Sequence, residues 1–203
     1  MNRDRVVIGI DQSYAGTGIS IFRNGQFVKL MCMGRERGKS NTDFRRMLED
    51  FLSDELNYYL IENDVKIVCE RIRLKSQGHL SQQYILSTAA LMSTIIDVAD
   101  AYEVKTYDVD TRAWKKAIVG TSKKQSNRYG IAPEKYPTIL YLKHIGLLGE
   151  IVEPYEGRGK KGVIIVNMNG QKVPCKMNDN KADAYCIGLF GVRYPERLKE
   201  VVF

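Results

Sequence analysis

Val6-Val7-Ile8-Gly9-Ile10-Asp11 is the stretch from which the architecture unfolds. Val6 to Ile10 is short, β-branched and almost wholly apolar, as suits a central strand covered on both faces, and Asp11 ends it abruptly. Downstream, Gly18-Ile19-Ser20-Ile21-Phe22 and Gln26-Phe27-Val28-Lys29-Leu30-Met31 flank Arg23-Asn24-Gly25. Asn-Gly between alternating segments is the strongest short hairpin signal, so the opening reads as three antiparallel strands. Phe44, Met47, Leu48, Phe51, Leu52, Leu56 and Leu60 then follow helical spacing, with Asn41 or Thr42 available as a cap. Val65 to Cys69 reads as a fourth strand ending at Glu70, and Lys75-Ser76-Gln77-Gly78 marks a loop.

Ser81 to Tyr102 reads as a long helix with apolar residues on more faces than one sheet can bury. Thr106 to Val109 makes a fifth strand, and Asp110 or Thr111 can cap a helix through Trp114 to Val119. Strand and helix alternate, which favours an α/β architecture. Val163 to Val166 and Lys172-Val173-Pro174, with Asn169-Gly170 between them, predict a second hairpin over about 162–175. It reads as an insertion, preceded by a charged loop from Glu153 to Lys161. A C-terminal helix from about Asp179 to Phe190, closed by Gly191, follows.

A length of 203 residues suits one domain, and 44% hydrophobic with 27% charged residues is a globular composition. Cys32, Cys69, Cys175 and Cys186 form no CxxC pair and only His79 and His144 are present, which argues against a structural zinc site. Between Met1 and Asp11 the apolar run is far too short for a signal peptide or membrane span, so a soluble, cytoplasmic protein without membrane contact is expected. Lysine and arginine outnumber aspartate and glutamate 31 to 24, which favours an anionic partner, nucleic acid first.

The chemistry lies in the acids. Asp11 and Glu70 each terminate a strand, and Asp179 and Asp183 share one face at the start of a helix. If the first and fourth strands are neighbours, these carboxylates converge at one sheet edge and repel each other unless divalent cations sit among them. Hard oxygen donors suit magnesium or manganese. Two such ions about 3.5 to 4 Å apart activate a water and stabilise the leaving oxygen of a phosphodiester. Singly, each acid also has an ordinary reading: Asp11 as a turn residue, Glu70 as a solvated strand end, Asp179 as a helix N-cap. Asp183 is harder to read that way, because Ala182, Ala184, Ile187 and Leu189 surround it.

At these residues the chain resembles the RuvC family of Holliday-junction resolvases, within the RNase H-like superfamily. Val7-Ile8-Gly9-Ile10-Asp11 with Thr17-Gly18 resembles the opening strand and glycine turn, and Val68-Cys69-Glu70 the second acidic strand end. Thr111-Arg112-Ala113-Trp114-Lys115-Lys116 with Val119-Gly120 resembles the basic segment, and Lys181-Ala182-Asp183-Ala184 the closing motif. The resemblance implies a single RNase H-like nuclease domain over 1–203, with a mixed sheet of about five strands and helices on both faces. It further implies magnesium, replaceable by manganese, held by Asp11, Glu70, Asp179 and Asp183, and a homodimer that cuts four-way DNA junctions. There are two departures from the family pattern, the first of which suggests a divergent, phage-like branch, with the host cytoplasm as its compartment if the chain is phage-encoded. Gln12-Ser13 stands where cellular members have Pro-Gly, and the penultimate family acid lands on Asn180 rather than Asp179.

Eight basic residues, Arg112, Lys115, Lys116, Lys123, Lys124, Arg128, Lys135 and Lys143, lie between Arg112 and Lys143 against Glu134 alone. That segment carries the whole chain's formal excess of +7, which suits a phosphate-binding surface or an ordinary solvated face. The resemblance brings Lys115 and one of Lys123 or Lys124 to the active site, and adds Arg71, Arg73 and Lys75, in the loop after Glu70, to the DNA contacts. Ile72 and Leu74 in that loop, and Trp114 and Tyr107 nearby, read more simply as packing. Three competing functions share features with this one: a broader branched-DNA nuclease acting on flaps and forks, a non-catalytic branched-DNA binder, and an actin-like or sugar-kinase ATPase, for which a second lobe is lacking.

Overall fold

The computed structural model describes residues 3–61, 63–72, 82–121, 123–125, 133–147, 151–154, 162–168, 171–176 and 179–201. Nine strands and five helices fall within them: β1 Asp4–Asp11, β2 Thr17–Arg23, β3 Gln26–Met33, α1 Asn41–Leu60, β4 Asn63–Glu70, α2 Gln82–Ala101, β5 Lys105–Val109, α3 Thr111–Trp114, α4 Tyr136–His144, β6 Ile151–Pro154, β7 Gly162–Met168, β8 Gln171–Lys176, α5 Asp179–Arg193 and β9 Lys199–Glu200. The main sheet has the order β3-β2-β1-β4-β5-β9, one strand more than the sequence suggests, because the two-residue β9 pairs antiparallel with β5. β1 sits at its centre, antiparallel to β2 and parallel to β4. Asn24 and Gly25 both have positive φ, 50° and 79°, as the tight turn between β2 and β3 requires.

Side-chain alternation along the strands divides the interior in two. Val6, Ile8, Ile10, Ile67 and Cys69 face α1 and α2 in one core. Val7, Val68 and Val109 face Trp114, α4 and α5 in the other. With a period of two, Asp11 and Glu70 fall on the second face, the face that α5 covers. α5 comes very close to β1: a Cβ added to Gly9 would lie 2.4 Å from the backbone nitrogen of Gly188. The Ser20 hydroxyl donates to the Ala184 carbonyl at 2.7 Å and seals the contact.

Two expectations about helix ends are corrected. The N-cap of α1 is Ser40, not Asn41 or Thr42; its hydroxyl accepts from the Asp43 amide while the Asp43 carboxylate accepts from the Ser40 amide. α5 does not stop at Gly191 but runs on to Arg193, because Gly191 serves there as a packing position: a Cβ would lie 2.8 Å from Val68 Cγ2. After α3 the chain passes into a π-helical turn, Lys115–Val119, which ends at Gly120 with φ of 83°. The second hairpin is present as β7 and β8, with Asn169 and Gly170 outside the described residues. Glu153 and Pro154, expected in a loop, belong instead to β6, which extends that hairpin to a three-stranded sheet. Among the described residues no helix is long and apolar enough to cross a membrane.

Candidate active site

Asp11 ends β1, Glu70 ends the adjacent β4, and Asp179 and Asp183 lie in the first turns of α5 on the same sheet face. Asp11 feels the charge of each of the other three. Burial pushes the Asp11 carboxyl well above its ordinary range, and the charges of Asp183, Glu70 and Asp179 push the same way against the opposing ammonium of Lys135. Burial raises Glu70 too, with Asp183 adding and the Thr111 hydrogen bond, Lys135 and Lys115 opposing.

Both oxygens of Glu70 are held from one side. The Thr111 hydroxyl donates to Oε1 at 2.5 Å, and the indole of the fully buried Trp114 approaches Oε2 at 3.4 Å. The α3 N-cap is Asp110, whose carboxylate accepts from the Arg112 amide at 2.8 Å, which leaves the neighbouring Thr111 free to orient Glu70. Trp114 is thus a core residue with a polar task, and sequence reasoning finds only the first half.

Asp183 is 1% exposed. Its Oδ2 pairs with the ammonium of Lys135, while Oδ1 is buried with no hydrogen-bond partner. Burial alone would discourage the Lys135 charge, yet Asp183 and Asp11 outweigh it and hold the amine above its usual range. Lys115 lies close by, buried, with its amine donating to the Glu134 carbonyl at 2.9 Å and 5.2 Å from the centre of the Trp114 ring. Two adjacent residues, Glu134 through its backbone and Lys135 through its side chain, thereby join the basic segment to the carboxylates.

In the sequence Lys135 is one member of the basic run, with nothing to single it out. In the structure its ammonium reaches Asp183, while Lys123 and Lys124 are exposed. It is positioned by α4, which buries Pro137, Thr138, Ile139 and Leu142; the spacing of Tyr136, Ile139 and Leu142 is the available signal. Arg112 and Lys116 are exposed as well. Arg71, expected to reach DNA, forks onto Asp108 through Nε at 2.8 Å and Nη2 at 2.5 Å with its side chain still 34% exposed, and Ile72 packs against the first core. Arg73, Lys75, His79 and Arg128 lie outside the described residues. Asn180 spends its side-chain amide on the Gly16 carbonyl, so it ties α5 to the turn after β1, whereas Asp179 acts on Asp11 and Lys135 by its charge.

Among the described residues no three Asp, Glu, His or Cys side chains stand as a ready ligand set around one point; the place against Asp183 is taken by the Lys135 ammonium. The donors nonetheless fit a hard divalent cation. They are all carboxylate oxygens, one of them buried and unpartnered, and their mutual repulsion is only partly answered by Lys135 and Lys115.

No protein-family model and no curated protein matches the chain. Solved structures do match it. RuvC of T. thermophilus in complex with a Holliday junction substrate aligns over 97% of this chain and 99% of its own, at 11% identity and a TM-score of 0.61. A second Thermus thermophilus RuvC structure gives the same coverage and TM-score at 14% identity. The yeast mitochondrial Holliday junction resolvase Ydc2 aligns over 94% of this chain and 79% of its own, at 13% identity and a TM-score of 0.54. Through its mixed sheet, its helices on both faces and this likeness, the chain has the RNase H-like fold that RuvC and Ydc2 share.

Proposed function

We propose that this chain is a divalent-cation-dependent endonuclease that resolves four-way DNA junctions by paired phosphodiester hydrolysis, working as a homodimer. The observation that carries the reading is the meeting of Asp11, Glu70, Asp179 and Asp183 at one sheet edge, with a buried oxygen of Asp183 left unpartnered. These four would hold magnesium or manganese, which when bound generates the attacking hydroxide and stabilises the leaving oxygen. Thr111 and Trp114 keep Glu70 in one orientation, so that little reorganisation is needed when the phosphate arrives. Lys135 remains cationic throughout the neutral range and therefore works as a fixed positive charge rather than a base. Lys115, anchored on Glu134, supplies a second charge. The exposed Arg112, Lys116, Lys123 and Lys124 extend the positive surface outward for the arms of the DNA.

The dimer is supported by α2, where Leu86 is 69% exposed near the helix start while Leu91, Ile95 and Ala99 further along are fully buried. The test is incubation with labelled four-way junction, fork, flap and linear duplex, with and without magnesium. Junction cleavage that needs magnesium and is abolished by Asp11→Asn, with junction binding retained, is the expected result. Equal cleavage of linear duplex would remove the junction assignment, and cleavage by Asp11→Asn would remove the mechanism.

A further inference from the structure

The parallel register between β1 and β4 runs to Ile10 opposite Cys69 and stops one residue short of the two acids. On their outer sides both acids are paired, Asp11 opposite Gly18 on β2 and Glu70 opposite Val109 on β5. Between Asp11 and Glu70 themselves the contact is made by a side chain. Gln12, the residue after Asp11, sends Nε2 across to the Glu70 carbonyl at 2.6 Å. Gln12 is 8% exposed, and the other end of its amide, Oε1, is buried with no hydrogen-bond partner.

That combination is unusual for a residue that only fills space. A leucine or methionine would occupy a similar volume without leaving an acceptor bare in the interior, so the amide is explained by what its donor does. The donor reaches the main chain of the residue that carries one acid, from the residue next to the other.

We propose that Gln12 is a positioning residue for the candidate metal site: it fixes the Glu70 strand end relative to Asp11, and so sets how closely those two carboxylates can share a cation. This rests on the nuclease reading above and adds a determinant to it. Groups that orient ligands without touching the ion are worth roughly 10- to 100-fold in metal affinity. Gln12 belongs to that class, with its hold on the main chain of Glu70 complementing the hold of Thr111 and Trp114 on the Glu70 carboxylate.

The experiment titrates Mn2+ into the full chain without DNA, following free Mn2+ by electron paramagnetic resonance, for the wild type, Gln12→Leu, Gln12→Met and Asp11→Asn. Melting temperatures are measured in parallel in EDTA. Both Gln12 variants should bind Mn2+ about 10- to 100-fold more weakly than the wild type. Their melting temperatures in EDTA should move by no more than about 4 °C, the size expected for one hydrogen bond in a chain of this length. Unchanged Mn2+ affinity in either folded variant, with the wild type binding normally, would overturn the role of Gln12 and leave the nuclease reading standing. A melting temperature that collapses while affinity per folded molecule is unchanged would overturn it equally, since Gln12 would then be only structural. A wild-type chain that binds Mn2+ no better than Asp11→Asn overturns both.

Discussion

Removing Lys135 tests the electrostatics of the site directly, because this one ammonium answers the charge of a nearly inaccessible carboxylate. In Lys135→Met the methylenes remain in approximate form and the charge is lost, leaving Asp183, 1% exposed, with neither oxygen compensated. Breaking a buried ion pair from one side costs about 3–5 kcal/mol. The lower end applies here, about 3 kcal/mol, because the Lys135 side chain is 25% exposed and solvent already screens part of the pair. For a chain of about 200 residues, each kcal/mol shifts the melting temperature by roughly 2–4 °C, so in EDTA the variant should melt about 6–12 °C below the wild type. A cation at a hundred times its dissociation constant stabilises the folded state by about 2.7 kcal/mol, and it should bind the variant more tightly than the wild type because no ammonium competes for Asp183. Both proteins gain from magnesium, and the gap between them should narrow by about 1.4 kcal/mol for each tenfold by which the variant binds the cation more tightly. Calorimetry of both proteins in EDTA and in magnesium measures this. A variant that melts with the wild type in EDTA would refute the pairing as drawn, and one equally impaired with and without magnesium would refute the cation site.

Four further outcomes follow from the same geometry. Because burial and like charges raise the Asp11 carboxyl in the folded state, ionising it opposes folding: in EDTA the wild type should lose stability as pH climbs above 3.8 toward the raised value, and Asp11→Asn should melt higher than the wild type at pH 8 but not at pH 4. A constant difference across that range would contradict the assignment. Thr111→Val should lower single-turnover junction cleavage by about 10- to 100-fold while leaving junction affinity in calcium unchanged, through loss of its bond to Glu70. Replacing Lys123 and Lys124 together by alanine should flatten the log–log salt dependence of junction binding by about 0.9 for each phosphate no longer neutralised, an unchanged slope marking them as solvated surface only. Leu86→Glu should turn a dimer into a monomer in light scattering, and a wild type that is already monomeric would remove the homodimer.

The central strands are legible because their alternation and abrupt acidic ends are local facts. Val6 to Ile10 is apolar on both faces since both faces are in fact covered, one by α1 and α2 and the other by α5. Asn24-Gly25 announces its turn through the one conformation that those residues accept easily. The misreadings come where tertiary contact overrides a local signal. Gly191 has the composition of a helix terminator, but the helix continues because that position lies against Val68 and Val7, where no side chain fits. β9, two residues long, has no pattern of its own and exists only through its pairing with β5.

The site divides along the same line. Its acids can be named because each closes a strand or opens a helix, and parity along β1 and β4 is enough to place Asp11 and Glu70 on one face. The residues that control those acids come from elsewhere in the chain: Lys135 from the start of α4, Thr111 and Trp114 from the turn after β5, Gln12 from the loop beyond β1. A lysine in a run of lysines carries no mark of its own, and eight basic residues share one segment. What separates Lys135 from Lys123 is burial, set by the packing of Ile139 and Leu142 in the second core, which turns the start of α4 toward Asp183. The basic segment therefore has two parts with different physics. Lys115 and Lys135 are desolvated against carboxylates and indole, where a charge acts strongly over a few ångströms; Lys123 and Lys124 are in water, where salt screens them. Substitutions in the first pair should change the rate and the metal affinity, and substitutions in the second should change the salt dependence of binding.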